Sequence, residues 1–132
     1  MKKRIFDPSS RDIQIVGELD LEKVKSLVGV QFPEATVYIY PGAIKHIKKK
    51  HADIFEIHYF FIPEIIVAPD YIGKNPKEPA SIELYKRLNP TLLVAVKLSP
   101  KGYLYLSSFY DLDNAEHKIQ KRLRTGRIVP YK

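Results

Sequence analysis

The sequence predicts one α+β domain in which N-terminal helices pack on an antiparallel β-sheet. Apolar residues recur at helical spacing in the first half of the chain, and three β-rich runs separated by turn residues follow in the second half. The chain has 132 residues, 45% of them hydrophobic, which is enough for one core. No internal repeat or change in composition marks a second domain, so the domain is expected to span residues 1–132.

The chain begins with a predicted strand, a short helix and a second strand. Residues 12–16 alternate between apolar and polar, which favours a strand. Asp20 can cap a helix over residues 21–28, which Gly29 would end. Residues 36–40 are mostly β-branched or aromatic and therefore predict the second strand.

A longer helix is predicted from Pro41 to about Ile57, because proline suits the first helical turn. At roughly 100° per residue, one face gathers Ile44, Ile47, His51, Ile54 and Phe55. His51 lies near the middle of this apolar stripe, and His46 lies about 120° from its centre. A short helix over residues 62–68 and a turn over residues 69–76 are expected next.

Three successive strands are predicted over residues 81–87, 92–98 and 103–110, with proline- and glycine-containing turns between them. This order predicts an antiparallel meander. Residues 92–96 are continuously apolar, so we expect this strand to be central and covered on both faces. A last helix is predicted over residues 114–124.

The composition narrows the class of protein. Cysteine is absent, which excludes disulfides, thiolate metal sites and a cysteine nucleophile. The formal net charge is +7, and residues 117–132 contain six Lys or Arg and no acid, which favours a nucleic acid or an acidic protein as partner. No stretch reads as a signal peptide or membrane span, so we expect a cytoplasmic protein that does not bind a membrane.

The segment 41–51 combines proton carriers with positive charge, since His46 and His51 lie among four lysines. Histidine exchanges protons near neutral pH, and lysine attracts phosphate without reading base identity. RNA is the first candidate substrate. The other interpretation is a solvated basic helix with one packed histidine. Two histidines five residues apart are weak support for a metal site, and no glycine-rich cofactor motif is present, so no metal or cofactor is predicted.

Polar residues in the predicted strands extend this hypothesis. Lys97 closes the central strand and would either reach water at the sheet edge or bind phosphate at the mouth of a cleft. Ser107 and Ser108 are adjacent and should face opposite sides, with Tyr110 on the face of Ser108. These hydroxyls would either pack in the sheet or orient a substrate.

The order of the motifs is more specific than any one of them. It runs through Lys45-His46-Ile47-x-x-Lys50-His51, Pro63-Glu64-Ile65-Ile66, Pro69-Asp70-Tyr71-Ile72-Gly73, Val94-Ala95-Val96-Lys97-Leu98, Leu104 to Tyr110, and Thr125-Gly126-Arg127. Over roughly residues 37–128 the chain resembles the phage-encoded nuclease-like domains of the barnase–EndoU–colicin–RelE fold. Residues 1–36 resemble the variable lead-in of such domains.

The resemblance implies an RNase-type fold that cleaves RNA without metal and leaves a 2′,3′-cyclic phosphate. Such domains occur in toxin, prophage and mobile-element settings, so an antitoxin or immunity protein is an implied partner. The helix histidine of the family pattern falls on His51, with His46 beside it, and the strand lysine falls on Lys97. The late-strand hydroxyls fall on Ser107, Ser108 and Tyr110.

The sequence therefore favours a metal-independent endoribonuclease. His51 would act as general base or acid with His46 as a second proton carrier, Lys97 would stabilise the phosphate, and Ser108 and Tyr110 would orient it. The RNA backbone would be held by Lys45, Lys50, Lys118, Lys121, Arg122, Arg124 and Arg127. The alternative is a non-catalytic basic module that binds nucleic acid or an acidic protein. Convergence of His51, Lys97 and a late-strand hydroxyl on one cleft would favour the enzyme.

Overall fold

The structure is a computed structural model, and it describes residues 6–132. Five α-helices, seven strands and one 3-10 turn are formed within this range. In chain order they are β1 Gln14–Glu18, α1 Leu21–Val28, β2 Thr36–Ile39, α2 Pro41–Lys50, α3 Ala52–His58, the 3-10 turn Tyr59–Phe61, α4 Ile62–Val67, β3 Tyr71–Lys74, β4 Ser81–Lys86, β5 Leu92–Leu98, β6 Leu104–Asp111, α5 Ala115–Arg124 and β7 Ile128–Pro130.

The strands of the described residues form one mostly antiparallel sheet in the order β1-β2-β6-β5-β4-β3-β7. The pair β2–β6 is parallel, and every other neighbouring pair is antiparallel. The predicted α+β class is therefore confirmed. The meander β4-β5-β6 is confirmed as well, and β5 lies in the middle of the sheet with residues 92–96 buried, as their apolar run predicts.

Helix α1 begins and ends at the residues that the capping signals in the sequence predict. The Asp20 carboxylate accepts a hydrogen bond from the Lys23 backbone N–H at 3.1 Å, which satisfies a free donor of the first turn. Gly29 follows the helix with a φ of 70°, a left-handed conformation that glycine adopts without a steric penalty. The predicted boundaries of α1 are therefore confirmed.

The prediction of one continuous helix over residues 41–57 is wrong. The helix breaks at His51, whose backbone (φ −137°, ψ 50°) is not helical, and it resumes at Ala52. The charges match two helix ends at this point, since the last turn of α2 carries three lysines and the first turn of α3 carries Asp53. Lysines favour the negative end of a helix dipole and aspartate favours the positive end, so both favour the break.

The prediction of a turn over residues 69–76 is also wrong, because Tyr71–Lys74 form strand β3 between β4 and β7. Gly73, which suggested a turn, lies where the backbone of β7 approaches closely, and a methyl group there would collide with the carbonyl of Arg127. Residues 128–130, which follow the last predicted helix, form strand β7. None of the helices in residues 6–132 is long and apolar enough to cross a membrane.

Two clusters of buried side chains lie on opposite faces of the sheet. The larger one joins strand residues such as Leu92, Val94 and Val96 to side chains of α1 to α4, including Phe55. The smaller one joins Leu93 and Ala95 to Ile119 of α5 and to Leu112 and Ile128. Helix α5 covers only part of this second face. The remaining part stays open, and it holds the candidate site.

A β-bulge in β6 determines which side chains reach the open face. Ala95 pairs with Ser108 and Val96 pairs with Leu106, so Ser107 is an extra residue. Leu104 and Leu106, which precede the bulge, are buried in the larger core, and so is Phe109, which follows it. The alternation therefore changes by one residue, which places Tyr105, Ser108 and Tyr110 on the open face.

Candidate functional site

A cleft of about 510 Å³ lies on the open face between the start of α2, the end of β5 and the start of β6. It combines one imidazole, one ammonium group and several hydroxyls with aromatic walls. Its lining residues are Tyr40, Ala43, His46, Lys97, Ser99, Pro100, Tyr103, Tyr105, Leu106 and Ser107. Two of the predicted catalytic residues, His46 and Lys97, therefore lie in the same cleft.

Sheet pairing brings Lys97 and the tyrosines together. Lys97 pairs with Tyr105 on one side and with Ser81 on the other, and Tyr105 pairs in turn with Tyr38 of β2. Side chains of directly paired residues share a face, so Lys97 stands among hydroxyl-bearing side chains. Its Nζ atom lies 2.7 Å from the Glu78 carboxylate, and the Lys97 side chain keeps 34% of its surface exposed. The lysine is thus held at the mouth of the cleft with contact to water.

His46 reaches the cleft from α2. Pro41 starts this helix directly after Tyr40, and Ile44 and Ile47 are buried and hold the helix against the core. His46 lies off this buried stripe and is exposed, as its helical angle predicts. The cleft therefore offers a solvent-accessible imidazole together with a strand lysine.

His51 lies elsewhere, against the far end of β6. Its ring stacks on Tyr110 with centroids 5.5 Å apart and planes inclined by 24°, and both residues are half-buried. Burial raises the pKa of the Tyr110 phenol, and the nearby Glu83 carboxylate adds to this effect. His51 is accordingly not sealed in the core, but it does not line the cleft, so it is His46 and not His51 that converges with Lys97 and a late-strand hydroxyl.

Four of the five predicted catalytic residues thus fall into two groups along β6, and Ser108 belongs to neither. His46 and Lys97 lie at the cleft, where Ser107 supplies a hydroxyl, and its Oγ atom donates to the carbonyl of Ala95 at 3.3 Å. His51 and Tyr110 form the stacked pair. Ser108 is half-buried between the two groups and pairs with Ala95.

A network of polar side chains that the sequence interpretation missed lies on the same face. The Glu83 carboxylate is buried and accepts hydrogen bonds from Arg127 at 3.0 and 3.1 Å and from the Tyr85 hydroxyl at 3.1 Å. Arg122 donates to the Tyr85 hydroxyl at 2.7 Å. Burial raises the pKa of Tyr85, so this phenol stays neutral and remains a donor. The local signal for this network is Glu83 itself, an acid between the apolar residues Ile82 and Leu84.

The predicted RNA-binding residues differ in exposure and in partners. Lys45, Lys50, Lys121 and Arg124 are exposed, and Lys118 is half-buried. Arg122 and Arg127 are half-buried and hold Tyr85 and Glu83. Those two arginines therefore serve the fold through internal contacts, whereas the four exposed residues are accessible to a polyanion.

A larger groove of about 610 Å³ beside β1 and α4 has different chemistry. Its ionisable residues are two acids, Glu18 and Glu64, and the rest of its lining is apolar, including Phe60 and Val67. Acids would repel a polyanion, so this groove is a poor match to the basic character of the chain. No group of three or more His, Asp or Glu side chains within residues 6–132 could hold a metal ion.

Most of the chain matches a known protein family. A family model described as phage-Barnase-EndoU-ColicinE5/D-RelE like nuclease 3 matches residues 14–120. The chain belongs to this nuclease-like family. The family predicted from the order of motifs is therefore confirmed. No curated protein and no solved structure matches the chain.

The family match contains every residue of the cleft and the stacked pair. It begins at residue 14, within the segment that resembles a lead-in, and it ends at residue 120, inside α5. Lys121, Arg122, Arg124 and Arg127 consequently lie outside the part of the chain that matches the nuclease 3 family. Membership in this family supports a nuclease and a nucleic acid substrate.

Proposed function

We propose that the protein is a metal-independent endoribonuclease that cleaves RNA through attack of a 2′-hydroxyl on the adjacent phosphate. The observation that carries this proposal is the cleft in which an exposed His46 and Lys97 lie together. The family supports a nuclease, and the basic charge supports a polyanionic substrate. The proposed fold is that of a barnase-like RNase, in which the N-terminal helices pack on the sheet.

The reaction requires three chemical roles. A base removes the proton of the 2′-hydroxyl, whose oxygen forms a bond to phosphorus while the bond from phosphorus to the 5′-oxygen breaks. An acid donates a proton to the leaving 5′-oxygen, and a cation stabilises the negative charge on the phosphorane. The products are a 2′,3′-cyclic phosphate and a 5′-hydroxyl.

His46 and Lys97 match two of these roles. The imidazole of His46 transfers a proton within the cleft, and the Lys97 ammonium stabilises the phosphate. Lys97 exchanges its partner Glu78 for the phosphate, and the exchange is inexpensive because surface ion pairs contribute only about 0–1 kcal/mol. The Ser107 hydroxyl at the cleft becomes a donor to a phosphate oxygen when it exchanges its 3.3 Å hydrogen bond to the Ala95 carbonyl for the phosphate.

His51 supplies the second proton carrier in this proposal. It lies at the break between α2 and α3, five residues after His46 and outside the cleft. Stacking on Tyr110 fixes the plane of its ring. Both histidines therefore flank β6, with Ser108 between the cleft and the stacked pair as a donor to the RNA backbone.

A second candidate function is supported by the exposed basic residues outside the cleft, namely Lys45, Lys50, Lys121 and Arg124. These side chains would hold RNA or an acidic inhibitor protein, such as an antitoxin, without chemistry. Binding of RNA without cleavage would favour this function.

The test is incubation of the purified protein with total RNA in excess EDTA, followed by analysis of the product ends. The active protein should produce 2′,3′-cyclic phosphate and 5′-hydroxyl ends. His46→Ala and His51→Ala should each lower the rate by about 10²–10⁴-fold, the usual contribution of a general acid or base. His117→Ala is the matched control, because His117 is exposed on α5 and should leave the rate unchanged. Intact RNA, or cleavage that requires a divalent ion, would refute the proposal.

A further inference from the structure

Three tyrosines line the cleft, and none of them has a role in the proposed reaction. Tyr40 and Tyr103 have ring centroids 5.7 Å apart with planes inclined by 38°, and Tyr103 and Tyr105 have centroids 6.2 Å apart with planes inclined by 51°. All three line the cleft together with His46 and Lys97. We call Tyr40, Tyr103 and Tyr105 the tyrosine wall.

Strand alternation explains why these rings stand outside the core. Val37 and Ile39 of β2 are fully buried, so the residues between and after them point to the open face. On β6, Leu104 and Leu106 are likewise buried, so Tyr103 and Tyr105 point outward. The three tyrosines of the wall are half-buried. Each of the three residues therefore keeps part of its surface exposed at the cleft.

The wall has the chemistry of a stacking surface for nucleobases. Bases stack on aromatic side chains in proteins that bind single-stranded nucleic acid, and stacking is tolerant of sequence because every base has a π-face. The neighbouring Tyr103 phenol raises the pKa of Tyr40 to about 12, so the Tyr40 phenol stays neutral and does not repel RNA. Lys97 lies next to the wall and attracts the phosphate that accompanies a stacked base.

We propose that the tyrosine wall is a base-stacking subsite that holds one unpaired nucleobase of single-stranded RNA beside the phosphate bound at Lys97. This subsite rests on the proposed function, which supplies RNA as the substrate class. It adds the position at which a base binds and the requirement that the RNA is unpaired there. A base in a duplex is stacked between its neighbours and is not free to contact a protein ring. The protein should therefore prefer single-stranded RNA to a duplex of the same sequence.

The experiment uses a fluorescent 2′-O-methyl hexauridylate, which lacks the attacking hydroxyl and is bound without being cleaved. Its dissociation constant is compared, by fluorescence anisotropy, with that of the same backbone in which all six residues are abasic. Loss of the bases should weaken binding to the unaltered protein by about 5- to 150-fold, the range for one stacked base. Equal affinity for the two oligonucleotides would overturn the proposal.

Variants locate the effect. Tyr103→Ala should bind the complete oligonucleotide as weakly as the unaltered protein binds the abasic one, with no further loss on the abasic oligonucleotide. Tyr103→Phe keeps the ring and should keep the base dependence. Phe60→Ala is the control, because Phe60 is an exposed aromatic residue in the other groove. If Tyr103→Ala does not fold, Tyr40→Ala replaces it, since the Tyr40 side chain makes no capping hydrogen bond to α2.

The outcomes separate this subsite from the catalytic proposal. A base dependence that persists in the tyrosine variants would overturn the tyrosine wall and leave the nuclease proposal untouched. A base dependence that these variants abolish, in a protein that does not cleave RNA, would support the subsite and refute the nuclease. Absence of any binding to the hexauridylate would overturn the subsite.

Discussion

Replacement of Arg127 by alanine should destabilise the protein strongly, although Arg127 lies near the C terminus. Its guanidinium makes a bidentate contact to Glu83, whose side chain is only 6% exposed. The same arginine immediately precedes β7, which pairs with β3 beside Gly73. Truncation of Arg127 would therefore leave a buried carboxylate with the Tyr85 hydroxyl as its remaining donor.

The magnitude follows from the burial of the two partners. Removal of one partner of a buried ion pair typically costs about 3–5 kcal/mol, because the other charge stays buried without compensation. The Arg127 side chain is 30% exposed, so water can partly replace it, and Tyr85 continues to donate. We therefore expect a loss of about 3 kcal/mol, against a total stability of about 5–15 kcal/mol for a typical domain.

The assay is equilibrium unfolding in urea at pH 7, followed by circular dichroism. Arg124→Ala is the matched control, since Arg124 is exposed on the same segment, and a surface change of this kind should remain within about 0.5 kcal/mol. The double variant Glu83→Gln/Arg127→Ala should lose only about 1–2 kcal/mol, because no charge is then left buried. A loss below about 1 kcal/mol for Arg127→Ala would refute the reasoning.

Two further predictions concern the basic surface and the response to pH. Lys121→Ala combined with Arg124→Ala should weaken RNA binding for all sequences, and it should reduce the slope of log affinity against log salt by about 0.7 per residue, as measured by anisotropy titrations. An unchanged slope would place the RNA elsewhere. Burial raises the pKa of Tyr85 in the folded state, so the folded protein retains a proton that the unfolded chain releases above about pH 10. The stability from this neutral phenol is present below that pH and is lost as pH rises, by up to about 1.4 kcal/mol per pH unit. Urea unfolding at pH 10 and above should show a shallower decline for Tyr85→Phe, and equal declines would contradict the assignment.

Local signals predicted the elements whose ends depend on adjacent residues. Asp20 and Gly29 bound α1 because a side-chain cap and a left-handed residue act within one turn. The apolar run of residues 92–96 predicted a central strand, because only a strand covered on both faces buries every residue. The exposure of His46 also followed from its angle on α2.

The failures occurred where distant contacts override local patterns. The apolar stripe continues through His51 at helical spacing, yet the helix breaks there, where His51 stacks on Tyr110 from β6. Gly73 resembles a turn residue, but it is required where β7 passes close to β3. The bulge at Ser107 changes the face of every later residue in β6, and strict alternation does not predict a bulge.

The sequence by itself determined the α+β class, the central meander, the basic balance of charge and the presence of histidines beside lysines. Alternating tyrosines are also visible in it, at Tyr38 and Tyr40 and again at Tyr103 and Tyr105. Only the tertiary structure decided that these pairs meet, because β2 and β6 are far apart in the chain and pair in parallel. The same pairing decided that Lys97 lies with His46 and apart from His51. Periodicity reports which side of a strand or helix is buried, whereas neighbours in space depend on strand order and register, which local patterns do not encode.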